Sequence, residues 1–180
     1  MKKTVLICGL IAGFISASLF IGLMIVGDDG KHSEDGMLIG YTLMILAFSF
    51  IFVGTKITRD KHQGGVISFG KAFRVGLYIT LIASTIYVVM WLFTYYLVMP
   101  DFAEHYSAQM LEKMKASGAS AAELAREQAE MARFNQMYKN PFFNAMITYT
   151  EILPVGLLMS LISALILKKK PLPGLQTTEA

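Results

Sequence analysis

Of the 180 residues, 54% are apolar and only 16% charged, so the chain has too few charges to keep a water-exposed surface around that much apolar content. A formal net charge of +3 is too small to suggest a nucleic-acid partner. The single cysteine, Cys8, excludes an internal disulfide and reads as a small buried apolar residue.

In chain order, the charges fall into gaps between apolar runs. Lys2 and Lys3 precede an uncharged run at 4-26. About 20 apolar residues suffice to cross the hydrocarbon of a bilayer, so this run predicts a first crossing. A signal peptide cleaved near Ser16-Ala17-Ser18 is the competing reading, but the run continues to Val26, which suits a retained anchor better. The first gap holds Asp28, Asp29, Glu34 and Asp35 against Lys31, without the ligand spacing of a calcium loop. A second run spans 37-55. The next gap is basic, with Lys56, Arg59, Lys61, Lys71 and Arg74 against Asp60. Within it, Gly65 to Lys71 has the outline of a phosphate loop, but Ala72 stands where Ser or Thr is needed to hold magnesium. A third run, 75-99, ends at Pro100, with Tyr78, Trp91, Tyr95 and Tyr96 placed as interfacial anchors.

Residues 100–140 form the sizeable polar piece and are rich in helix formers. Phe102, Tyr106, Met110 and Met114 recur every four residues as one apolar stripe. Ser117-Gly118-Ala119 breaks the helix, and Ser120 with Glu123 fits a capping box that restarts it. Leu124, Met131, Phe134 and Tyr138 continue an apolar stripe up to a stop at Asn140-Pro141. Met110, Met114, Met131 and Met137 lack His or Cys at ligand spacing, so they read as packing surface rather than a copper site. The fourth run, 142-167, carries one acid, Glu151, and is followed by Lys168-Lys169-Lys170. The tail, 171–180, has two prolines and is expected to be disordered.

The runs do not alternate apolar with polar, which rules out barrel strands. The predicted fold is an all-α membrane protein: four transmembrane helices in one domain, 1-170, with a helical hairpin between the third and fourth. Because cytoplasmic segments retain Lys and Arg, the alternation of basic and acidic gaps puts both termini in the cytoplasm and the hairpin outside it. Close packing of helices in lipid usually needs small residues in rows. Gly9, Gly13 and Ala17, then Gly76, Thr80 and Ser84, then Gly156, Ser160 and Ala164 provide three such rows. They are the expected inner faces of a four-helix bundle, with a dimer face as the alternative.

Glu151 is the sharpest functional candidate, because an ionisable group within a span is costly. At 1.5 Å per residue it lies about 25 Å from Lys168, near the outer interface. There it is expected to reach water or to accept a hydrogen bond from Tyr149 or Thr148. Pro154, just beyond, can kink the helix. His32, His62 and His105 are far apart, and no Ser-His-Asp, HExxH or CxxC pattern is present. No catalytic, cofactor or metal site is therefore expected, and the chain reads as a non-enzyme.

Arg59-Asp60-Lys61 followed by Gly64-Gly65-Val66-Ile67-Ser68-Phe69-Gly70-Lys71-Ala72-Phe73-Arg74-Val75-Gly76 resembles the signature loop of the DUF4199 family. Pro154-Val155-Gly156-Leu157, with 161–170, is similar to that family's closing motif. The resemblance covers about Lys3 to Lys170. It implies four spans in a bacterial cytoplasmic (inner) membrane. The family has no established activity, so it transfers no site residues. The expected role is contact with a protein or lipid of the cell envelope, or with a second copy of the chain, through the hairpin stripe of Tyr106, Met110, Met114, Met131 and Phe134. The alternative is a small carrier or channel subunit that uses Glu151.

Overall fold

The computed structural model describes residues 1–26 and 33–169. Among the described residues six α-helices follow one another: α1 (Lys2–Val26), α2 (Ser33–His62), α3 (Phe69–Phe93), α4 (Phe102–Ala116), α5 (Ala121–Tyr138) and α6 (Pro141–Leu167). A π-helical turn at Thr94–Val98 follows α3. Among the described residues there is no strand, only an isolated bridge between Ile67 and Lys169. Residues 27–32 of the acidic gap and the tail from Lys170 lie outside the described residues.

Two helices overrun the apolar runs that mark them. α2 continues past Thr55 to His62, and α3 begins at Phe69 rather than Val75. Apolarity marks what lipid tolerates, whereas Lys and Arg are good helix formers in water and suit the negative end of a helix dipole. Arg59, Lys61 and His62 accordingly fill the last turn of α2. The expected basic loop thus shrinks to a turn at 63–68. Gly64 and Gly65 carry it through φ values of +60° and +82°, where a side chain would be strained. The Gly65 N–H bonds back to the Arg59 carbonyl at 3.0 Å.

The chain divides into two compact units, one of Met1–Tyr87 with the chain from Thr150, the other of Val88–Tyr149. In the first, α3 packs against three helices through glycines. A Cβ on Gly9 would stand 2.7 Å from Ile82, and one on Gly13 would stand 2.9 Å from the Ala83 carbonyl oxygen. One on Gly54 would meet Ile79 at 2.5 Å and Cys8 at 3.1 Å. Between α3 and α6, a Cβ added to Gly76 would stand 2.9 Å from Ser160, and one added to Gly156 would stand 2.3 Å from Thr80. The helices come this close because those positions lack side chains, which gains dispersion contact that lipid cannot match. Thr80 Oγ1 donates to the Gly156 carbonyl at 3.1 Å and shares a 2.9 Å hydrogen bond with Ser160 Oγ. Phe48, Ile51, Ile79 and Ala83 are among the side chains buried in this unit.

The second unit is built around aromatic rings. Trp91 packs edge-on against Phe102 at 5.3 Å and beside Tyr95 at 6.0 Å. Tyr95 meets Tyr138 at 5.2 Å, Tyr138 meets Phe134 at 5.4 Å, and Phe134 meets Phe143 at 6.1 Å. Trp91 and Tyr95 are therefore core residues, both buried, not the interfacial anchors expected from the sequence. Edge-to-face ring pairs and a partner for the indole N–H favour burial over the interface. Tyr78 is exposed.

The α4–α5 hairpin closes through Asn135, whose amide donates to Ser107 Oγ at 2.9 Å and to the Ala103 carbonyl at 3.2 Å. The inner stripe of α4 is Ala103, Ser107, Leu111 and Met114. The expected four-residue stripe instead leaves Tyr106 and Met110 exposed. A strict spacing of four drifts about 40° per step around a helix of 3.6 residues per turn, so the contact line follows alternating threes and fours.

The capping box forms in full. Glu123 N–H donates to Ser120 Oγ at 3.3 Å, and Ser120 N–H donates to Glu123 Oε2 at 2.8 Å. The Ser120 hydroxyl and N–H hold the Glu123 carboxyl below its usual range. A lowered folded pKa contributes stability above the unfolded value, near 4.3, that is lost as pH falls through the folded one. The ellipticity of α5 is therefore expected to decline on acidification below about pH 4.3, and Glu123→Gln should flatten that part of the titration.

Candidate functional site

Asn144 is the polar centre of the second unit and is fully buried. Asn140 caps α6, its side-chain oxygen accepting from Phe142 N–H at 2.9 Å, and Pro141 takes the first helical position, where its missing N–H costs nothing. One turn later, Asn144 Oδ1 accepts from Trp91 Nε1 at 3.1 Å. Trp91 Nε1 also donates to Tyr138 Oη at 3.0 Å. The Thr148 hydroxyl donates to the Asn144 carbonyl at 2.9 Å, so it is turned to Asn144 rather than to Glu151 as the sequence suggested. The sequence reading missed this node. Its signal was an Asn within the fourth apolar run and a Thr four residues on, the spacing that puts both on one helix face.

Glu151 belongs to the first unit and is exposed on α6. Pro154 lies inside α6 and gives no N–H to its ladder, yet the helix continues to Leu167. Ser84 and Ser163, each one turn beyond the Thr80–Ser160 pair, are buried without a hydrogen-bond partner, as is Thr55. Gly76 and Gly156, with Thr80 and Ser160, make the α3–α6 contact a seam of small and hydroxyl side chains. Ala17 and Ala164 are buried in the same unit.

The hairpin residues split between the two faces. Met114 and Met131 are half-buried, while Tyr106, Met110, Phe134 and Met137 stand out at the surface. A shallow hollow at the hairpin tip is lined by Ser117, Gly118 and Arg126, but Arg126 is already paired with Glu130 at 2.9 Å.

Basic residues gather at one end of the first unit. Thr4 and His62 share a 3.2 Å hydrogen bond that joins the start of α1 to the end of α2. Lys169 N–H donates to the Ile67 carbonyl at 2.9 Å, joining the end of α6 to the turn before α3. Ile67 itself is buried with Ala72 and Ala164. Lys71 Nζ donates to Gln63 Oε1 at 2.6 Å, so the lysine of the phosphate-loop outline closes its own turn. Arg59 pairs with Asp60 at 2.6 Å. Among the described residues, no group of three or more His, Cys, Asp or Glu side chains is placed to hold a metal.

These features define a class: among the described residues the chain is all-helical, with four helices long and apolar enough to cross a membrane, namely Lys2–Gly22, Leu38–His62, Phe69–Val98 and Pro141–Leu167. They carry large exposed apolar residues, Leu38 at 75% and Ile166 at 63%, as lipid-facing helices do. Within that class the chain belongs to the DUF4199 family, described as a protein of unknown function, whose model matches residues 7–169. No curated protein and no solved structure matches the chain.

Proposed function

We propose that the protein is a non-enzymatic, multi-pass component of a bacterial cytoplasmic membrane. In this reading both termini are cytoplasmic, and the α4–α5 hairpin is presented outside the membrane to an envelope partner, protein or lipid. The observation that carries it is the exposed apolar set on the hairpin, Tyr106, Met110, Phe134 and Met137, on helices otherwise covered with charges. Exposed apolar surface on a polar element marks contact with something else. The basic helix ends support the orientation, because Lys and Arg are retained on the cytoplasmic side.

Photo-crosslinking side chains placed at Tyr106, Met110 or Phe134 are expected to give adducts in cells. The same groups at Lys115 or Arg126 should give few, and Met110→Asp should abolish the Tyr106 adduct. Equal yields from both sets of positions would remove the hairpin from this role. Lipid adducts and protein adducts tell the two kinds of partner apart.

A further inference from the structure

We propose that the ends of α2 and α6 together form a headgroup site for an anionic phospholipid. Lys56 and Arg59 lie in the last two turns of α2, beside Asp60. The Ile67–Lys169 bridge draws Lys169, just past α6, to the same place. The fields of Lys56 and Lys169 both reach the Asp60 carboxylate, which already holds Arg59 at 2.6 Å. Arg59 pairs with this carboxylate, and with Lys56 and Lys169 nearby the cations outnumber it, which leaves an excess of positive charge. The helix dipole accounts for a cation at each helix end; it does not account for Lys169 being tied to the turn that follows α2.

The flanking surface chooses between anions. One turn before Lys56 stands Val53, 41% exposed, and just before Lys169 stand the exposed Leu165 and Ile166. A free phosphate or a nucleic acid would use the cations alone. A phospholipid uses both, its phosphate among Lys56, Arg59 and Lys169 and its chains along Val53, Leu165 and Ile166. Basic pockets between membrane helices bind such headgroups. The inference holds for whichever leaflet meets this end of the bundle, so it does not depend on the orientation proposed above.

The test is native mass spectrometry of the full-length protein in detergent, titrated with phosphatidylglycerol or phosphatidylcholine. Preferential retention of phosphatidylglycerol is expected. Each basic residue near a membrane surface contributes roughly fivefold, so Lys56→Gln with Lys169→Gln should weaken retention by roughly 30-fold. Lys113→Gln with Lys115→Gln, the same charge change on α4, should leave it unaltered. Asp60→Asn should strengthen it, a gain that misfolding cannot mimic. Equal retention of the two lipids, equal losses in both double variants, or no gain from Asp60→Asn would each overturn the proposal. So would displacement of phosphatidylglycerol by millimolar inorganic phosphate, which would mean a bare anion site.

Discussion

Replacing Trp91 by alanine is expected to cost about 3–5 kcal/mol, the range for truncating a large buried aromatic side chain. Trp91 is 5% exposed and touches both Phe102 and Tyr95, so its removal opens a hole where α3, α4 and the aromatic run meet. Trp91→Phe separates packing from hydrogen bonding. It keeps most of the ring contact but removes the donor shared by Asn144 and Tyr138, and is expected to cost about 1–3 kcal/mol. Chemical unfolding in detergent followed by far-ultraviolet circular dichroism gives both numbers. Hydrogen exchange should place the loosening in α4 and α5. A cost below that of Trp91→Phe for the alanine variant would mean that the aromatic run contributes no packing.

Gly156→Leu is expected to cost about 3 kcal/mol, the upper end for overpacking. Even the first added carbon would lie 2.3 Å from Thr80 Cγ2, so α3 and α6 must part, and the Thr80 bonds to Gly156 and Ser160 part with them. Gly156→Ala should cost less, and Thr80→Ser should partly rescue it by removing the methyl group in the way while keeping the hydroxyl. Gly22→Ala is the contrast: its added carbon meets nothing within 4 Å, and a helical Gly→Ala change there gains roughly 0.5–1 kcal/mol. Thermal unfolding of the purified variants reads all four. Equal losses at Gly22 and Gly156 would contradict the account of the seam.

Much of the fold was legible because hydrocarbon thickness acts on sequence through one coarse quantity, the length of an uncharged run. The rows Gly76-Thr80 and Gly156-Ser160 were legible for a similar reason: a spacing of four keeps small residues on one helix face. Their pairing partner was not, since nothing in Gly156 itself says that Thr80 faces it. The ends of α2 and α3 were obscured because helix continues into water wherever residues such as Arg59 and Lys61 favour it. Trp91 and Tyr95 were misread because amphipathic rings suit both an interface and a core, and only the position of Asn144 and Tyr138 decides between them. The site at the ends of α2 and α6 depends on a tertiary bridge, Ile67 to Lys169, between residues far apart in the chain.

Helices that cross a membrane with the basic ends inside expose the hairpin turn and shield the turn between α2 and α3. Cys8 is the sole cysteine, so a Cys8→Ser background allows one new cysteine at a time. A cysteine at Gly118, in the hairpin turn, should react with a membrane-impermeant maleimide in intact spheroplasts. One at Gln63, in the turn between α2 and α3, should react only after permeabilisation. Labelling of the Gln63 position in intact spheroplasts would contradict the account.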